Sequence, residues 1–182
     1  MFNLVENIRT KIDNGVRISD AEALALFESD DLLAVGDLAA LANRRMNADK
    51  VYFNVNRHIN YTNICVNRCT FCAFSREDDA DEGSYTLALN DILERAAEAR
   101  DAGATEIHMV GGLHPDLPFD FYLQILAALK ADSPQLHIKA FTAVEVDYFA
   151  RLTQQSPAEV VAELKAAGLD SMPGGGAEIF AT

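Results

Sequence analysis

The strongest constraint on the fold is a grammar that begins at Val51 and repeats: strand, loop, helix. Val51 to Val55 alternates as a short lead-in strand, and Ile59 to Ile64 reads as the first main strand. The acidic run from Glu77 to Gly83 is a solvated loop. Thr86 is placed to cap a helix whose apolar face is Leu89, Ile92, Leu93, Ala96 and Ala99, with Gly103 at its end. Glu106 to Val110 forms a second strand ending in Gly111-Gly112, and Tyr122, Ile125, Leu126 and Leu129 mark the next helix. Leu136 to Phe141 is the third strand. Its following helices carry Val144 and Tyr148, then Val160, Val161 and Leu164. The latter opens on Ser156-Pro157-Ala158-Glu159, a capping box with proline at the first helical position, and Gly168 closes it. Leu169 to Met172 is the fourth strand and runs into Pro173-Gly174-Gly175-Gly176.

Four such units in series imply an α/β fold, a parallel sheet with helices packed outside. Sheets of this kind bind ligands at the carboxyl ends of their strands. Here those ends carry a cysteine-rich loop, the Gly-Gly turn, the Thr142 to Glu145 segment and the triple glycine, all on one rim. A (β/α)₈ barrel takes about 250 residues, so residues 51–182 are expected to be the N-terminal half of a barrel, truncated to about four β-α units. The final AEIFAT reads as the start of a further helix. Residues 1–50 read as an N-terminal helical cap. Its first stripe is Leu4, Val5, Ile8 and Ile12, stopped by Gly15. Ser19 and Glu22 then form a capping-box signature ahead of Leu24 and Phe27. The third stripe is Leu32, Val35, Leu38, Ala42 and Met46.

The stretch from Ile59 to Arg76, INYTNICVNRCTFCAFSR, runs from the first strand into a loop and holds all three cysteines, Cys65, Cys69 and Cys72. Three thiolates can hold three irons of a four-iron cluster and leave the fourth iron open for chemistry. The alternative is a zinc site completed by His58 or His114. Structural zinc sites usually come as two separated pairs, and no second cysteine pair exists here. Three cysteines this close together also suit a reducing compartment better than disulfides.

The other rim residues each admit two readings. Gly111 and Gly112 make a tight turn, or let backbone approach a ligand closely. Glu145 is a polar contact for a cofactor, or a solvated acid in the first turn of a helix. Glu178, behind the triple glycine, has the same second reading. His108, inside a strand, is expected to be a core histidine, and His58 and His114 flank the rim without an assigned role. The cations near it are Arg57, Arg68 and Arg76.

Composition narrows the partners. A net charge of −13 argues against nucleic acid or an anionic membrane as partner, since both call for a basic face. No run approaches a membrane span, and the N-terminus lacks the apolar core of a secretory signal. A cytoplasmic enzyme with a small-molecule substrate is the expectation.

The Cys-x₃-Cys-x₂-Cys loop after a first strand resembles the radical S-adenosylmethionine (SAM) superfamily. That resemblance implies a radical SAM (β/α) barrel and a [4Fe–4S] cluster on Cys65, Cys69 and Cys72. It also implies SAM as co-substrate, chelated at the open iron, and an external one-electron reductant. Gly111 and Gly112 match the start of the superfamily's Gly-Gly-Glu motif, which contacts the methionine part of SAM, with Leu113 in place of the acid. NVNRHINYTNICVNRCTFCAFSR, MVGGLHPDLP, IKAFTAVEVDYFARL and AGLDSMPGGGAEIF are similar to one branch, the aminofutalosine synthases of menaquinone biosynthesis. This implies addition of the 5′-deoxyadenosyl radical to 3-[(1-carboxyvinyl)oxy]benzoate, giving 6-amino-6-deoxyfutalosine. The neighbouring branch, the cyclic dehypoxanthinylfutalosine synthases, shares much of this text. From another class, a non-catalytic iron–sulfur module would use the same cysteines.

Overall fold

A computed structural model describes residues 2–174. The chain divides into two compact units, Met1–Phe53 and Asn54–Thr182.

The first unit is helical: α1 (Phe2–Asn14), α2 (Asp20–Phe27) and α3 (Leu32–Asn47). The Ser19 box forms as read from the sequence. Ser19 Oγ accepts from the Glu22 N–H at 3.3 Å, and Glu22 Oε2 accepts from the Ser19 N–H at 2.7 Å. Ile8 and Leu38 are its buried side chains. The expected apolar faces are only partly used. Leu24, Phe27, Leu32 and Met46 are exposed, because three short helices enclose little more than the line of contact between α1 and α3.

The second unit contains β1 (Asn56–His58), α4 (Leu89–Asp101), β2 (Glu106–Met109), α5 (Phe119–Asp132), β3 (His137–Ala140), α6 (Ala143–Thr153) and α7 (Pro157–Ala167). The strands form one parallel sheet in the order β1-β2-β3. Alternation turns Ile59, Ile107, Met109, Ile138 and Ala140 toward the helices. There they join Ile92, Ala96, Ile125, Leu126, Phe149, Val160 and Leu164 in one core. Each of these larger aliphatic side chains contributes about 1.5–3 kcal/mol by leaving water.

Several elements differ from the sequence expectation. The first strand is neither Val51–Val55 nor Ile59–Ile64. Its ladder spans the residues between them, and the Ile59 N–H to His108 carbonyl bond at 3.0 Å follows it. Beyond Ile59 the chain stays extended but bonds to its own following loop. Tyr61 accepts from the Leu87 N–H at 2.7 Å, and Asn63 accepts from the Arg76 N–H at 2.8 Å. Thr86 therefore does not cap α4. Its hydroxyl lies 2.8 Å from that of Thr62, and Asp91 Oδ2 accepts from the Ala88 N–H at the helix start. The fourth strand is reduced to one bridge, Lys139 to Ser171. The next rung of a parallel ladder would need an N–H from residue 173, which is proline. On α6, Val144 faces solvent while Glu145, Val146, Phe149 and Ala150 are buried. Gly175, Gly176, Glu178 and the expected final helix lie outside the described residues. No described helix is long and apolar enough to cross a membrane.

Candidate active site at the strand ends

Three strand ends converge on one carboxylate. Glu145 is 2% exposed, so the solvated-acid reading does not hold. Its Oε1 accepts from the Tyr61 hydroxyl at 2.5 Å and from the Gly111 N–H at 3.1 Å, and its Oε2 accepts from the Thr142 N–H at 2.7 Å. Tyr61 continues β1, Gly111 follows β2, and Thr142 follows β3. Phe141, with φ of 60°, makes the sharp exit from β3 that sets Glu145 in place. Burial raises the Glu145 pKa, and the hydrogen bonds from Thr142, Tyr61 and Gly111 act against it.

The two glycines fit tightly, and what approaches them is the protein itself. A Cβ on Gly112 would lie 2.1 Å from the Ile64 carbonyl oxygen, and one on Gly111 would lie 2.4 Å from the Tyr61 ring. The Gly112 N–H donates to the Thr62 carbonyl at 2.9 Å. Leu113, where a motif acid would stand, is buried, and its carbonyl accepts from the Val66 N–H at 3.0 Å. The Gly-Gly turn thus seats the chain segment that leads into the cysteine loop.

That loop is closed at its base. Ile64 bridges Arg76, the Cys65 N–H donates to the Arg76 carbonyl at 2.9 Å, and the Arg76 guanidinium gathers the carbonyls of Ala73, Phe74, Ser75 and Glu82. Arg68 pairs with Glu77. Two of the three rim cations are therefore occupied by the loop's own structure. Cys65 is half-buried, Cys69 and Cys72 are exposed, and none forms a disulfide. A hydrogen bond from Ser75 draws the Cys72 pKa down, toward the thiolate that metals bind. Among the described residues no three His, Cys, Asp or Glu side chains are gathered into a metal-holding group. The loop carries the thiols together without drawing them onto one point. As a donor set, three reduced, accessible thiols on one closed loop fit an iron–sulfur cluster.

His114 is buried, with Nδ1 accepting from the Asp116 N–H at 3.1 Å. His58 and His108 stack on each other, ring centroids 4.5 Å apart. His108 is half-buried rather than a core residue. Sequence reasoning missed this pair, and it missed Lys139, which lies 2.9 Å from Glu106 on the same sheet face. The strand alternation HIKA held the signal for Lys139, since it sets the lysine opposite the apolar positions.

A parallel α/β half-sheet with a three-cysteine loop, a Gly-Gly turn and a buried acid at its carboxyl ends defines a metal-cofactor enzyme fold of the barrel type. The chain belongs to the radical SAM superfamily, whose family model matches residues 59–178. Members of that superfamily use a [4Fe–4S] cluster together with SAM. The chain is 41% identical to the aminodeoxyfutalosine synthase of Streptomyces coelicolor over 97% of its length and 46% of that protein. It is 49% identical to a 5-amino-6-(D-ribitylamino)uracil–L-tyrosine 4-hydroxyphenyl transferase of Methanopyrus kandleri, over 76% of this chain and 37% of that protein. The cyclic dehypoxanthine futalosine synthase of Halalkalibacterium halodurans is 40% identical over 97% and 48%. The chain thus spans about half the length of the curated relatives it matches. Among solved structures, the FeFe-hydrogenase maturase HydG from Carboxydothermus hydrogenoformans shares the fold, with a TM-score of 0.58 at 20% identity, over 92% of this chain and 47% of that one.

Proposed function

We propose that this protein acts as an aminodeoxyfutalosine synthase, a radical SAM transferase that joins the 5′-deoxyadenosyl group of SAM to 3-[(1-carboxyvinyl)oxy]benzoate. The observation that carries the reading is the 41% identity to the Streptomyces coelicolor enzyme over 97% of this chain. The substrate is a small molecule, and the electron comes from an external reductant.

In this reading Cys65, Cys69 and Cys72 hold three irons of the cluster. When bound, the cluster supplies the electron that cleaves SAM to methionine and a 5′-deoxyadenosyl radical. The chain's own residues do the positioning. Glu145 fixes the Gly111 backbone against Tyr61, so the Gly-Gly turn and the segment that carries Cys65 hold one geometry.

A second reading, cyclic dehypoxanthine futalosine synthase, is favoured by a match of nearly the same strength and coverage. The experiment that separates them is incubation of the cluster-loaded protein with SAM, reductant and each candidate substrate. Conversion of 3-[(1-carboxyvinyl)oxy]benzoate to 6-amino-6-deoxyfutalosine supports the first. Product from dehypoxanthine futalosine alone overturns it.

A further inference from the structure

The sheet face turned away from the helices is polar in both of its described rows. By register His58 lies beside His108, His108 beside Lys139, and Lys139 beside Ser171. The row before it is Asn56, Glu106 and His137. In a (β/α) barrel this inward face is ordinarily filled by Val, Ile and Leu, and a polar group withdrawn from water is costly unless it is paired.

The row farther from the rim is paired, in part with Lys139 and Ser171 of the nearer row. Asn56 Nδ2 donates to Glu106 Oε1 at 3.5 Å, and Lys139 Nζ lies 3.0 and 2.9 Å from the two Glu106 oxygens. His137 Nε2 and Ser171 Oγ are 2.7 Å apart. In the row nearer the rim His58 is exposed and His108 half-buried, so their ring nitrogens are open to a ligand. The His58 and His108 rings are stacked within 12° of parallel, and none of these hydrogen bonds uses their nitrogens. By register Lys139 is the strand neighbour of His108 on this face, and Glu106 is the one carboxylate in the two rows. His58 ends β1, and Gly111 follows His108 by only three residues, so the row lies just below the rim that bears the cysteine loop.

With 28 acidic against 15 basic residues, the chain as a whole repels anions, and any anion it retains must be held locally. One ammonium already shared with Glu106, plus two imidazole rings, suits a flat monoanion with two acceptor oxygens. It falls short of what a phosphate dianion calls for. Burial lowers the His108 pKa, and the neighbouring His58 and Lys139 lower it further, against Glu106.

We infer that His58, His108 and Lys139 form a carboxylate-binding row that holds the benzoate end of an aromatic acid substrate beneath the cysteine loop. The identity of the acid rests on the functional reading above, and the chemistry of the row rests on the sheet. With the enol ether carbon at the rim, the benzoate end is the part that reaches inward.

The test is equilibrium binding, by calorimetry without reductant, of the cluster-loaded protein to 3-[(1-carboxyvinyl)oxy]benzoate and to the same molecule with its benzoate carboxylate replaced by carboxamide. The wild type is expected to prefer the acid by about tenfold or more, and the double variant His58→Gln/His108→Gln to lose most of that preference. Undiminished preference in the double variant overturns the site. So does a wild type that binds both compounds alike, or neither. Should the double variant fail to fold, Lys139→Gln/Glu106→Gln, which keeps the pair hydrogen-bonded and neutral, reads the same ratio from the lysine side. Product formation with reductant judges the functional reading separately. A protein that prefers the acid but converts only another acid sinks that reading alone, and one that converts it without preferring the acid sinks the row alone.

Discussion

The Tyr61 hydroxyl donates to Glu145 across 84 residues of chain, at 2.5 Å, and neither side chain reaches solvent. The bond ties the segment entering the cysteine loop to the first turn of α6. Tyr61→Phe removes one donor from a buried carboxylate and is expected to cost about 1–3 kcal/mol. Glu145→Gln should cost more, because its NH₂ end must face a donor already aimed at it. Urea unfolding of both variants checks the order. A Glu145→Gln cost below that of Tyr61→Phe would show that the carboxylate is not the hub.

Glycine positions give a second comparison. At Gly112 the obstacle to a side chain is the Ile64 backbone, which has little freedom to move, and at Gly111 it is the Tyr61 ring. Alanine at either position should destabilise the fold by about 1–3 kcal/mol, with Gly112 at the upper end. Gly36, inside α3, has open space where a Cβ would go, and Gly36→Ala should stabilise its helix by about 0.5–1 kcal/mol. Thermal melts of the three variants read the contrast.

Acid should weaken the sheet in a defined window. Burial alone would raise the Glu106 pKa, but the hydrogen bond and charge of Lys139, with Asn56 and His137, bring it below the ordinary value. Asp170 is lowered in the same way by the Ile138 N–H and Lys130. For both groups the folded pKa lies below the unfolded one. Their stabilisation is thus present above the unfolded value of about 4 and is lost as pH falls through the folded values. Unfolding free energy measured from pH 6 to pH 2 should fall in that range, and Lys139→Met should flatten the slope. An unchanged slope in that variant would remove Lys139 as the cause.

Cluster loading is the fourth test. Single alanine variants of Cys65, Cys69 and Cys72 are expected to lose most bound iron. Cys69 and Cys72, both exposed, should leave stability within about 1 kcal/mol of the wild type. Iron retained by all three variants would place the ligands elsewhere.

What was legible in the sequence was local. Ser19 with Glu22, and Ser156 with Glu159, announce helix starts because a cap is made by residues three apart. The Gly-Gly turn and cysteine spacing are equally short-range. What was hidden depends on partners far along the chain. Ile59 to Ile64 has strand alternation, yet beyond Ile59 its backbone pairs chiefly with residues 76 to 87. Val144 carries an apolar side chain, but α6 is rotated to bury Glu145 and Phe149. The role of Glu145 itself depends on Tyr61 and Gly111, which no periodicity brings together. The polar row appears only once the register of three strands is known.

The clasp between Ile64 and Arg76 also bears on how the loop closes. Its bonds are between protein groups alone, so the cysteine loop is tied off by folding itself. Drawing three thiols together from an open chain would carry the full entropy of loop closure, whereas a knotted-off loop leaves only local rearrangement. Small zinc domains wait for metal in order to fold. Here the clasp at the base of the loop is made of protein groups alone, so its closure calls for no metal.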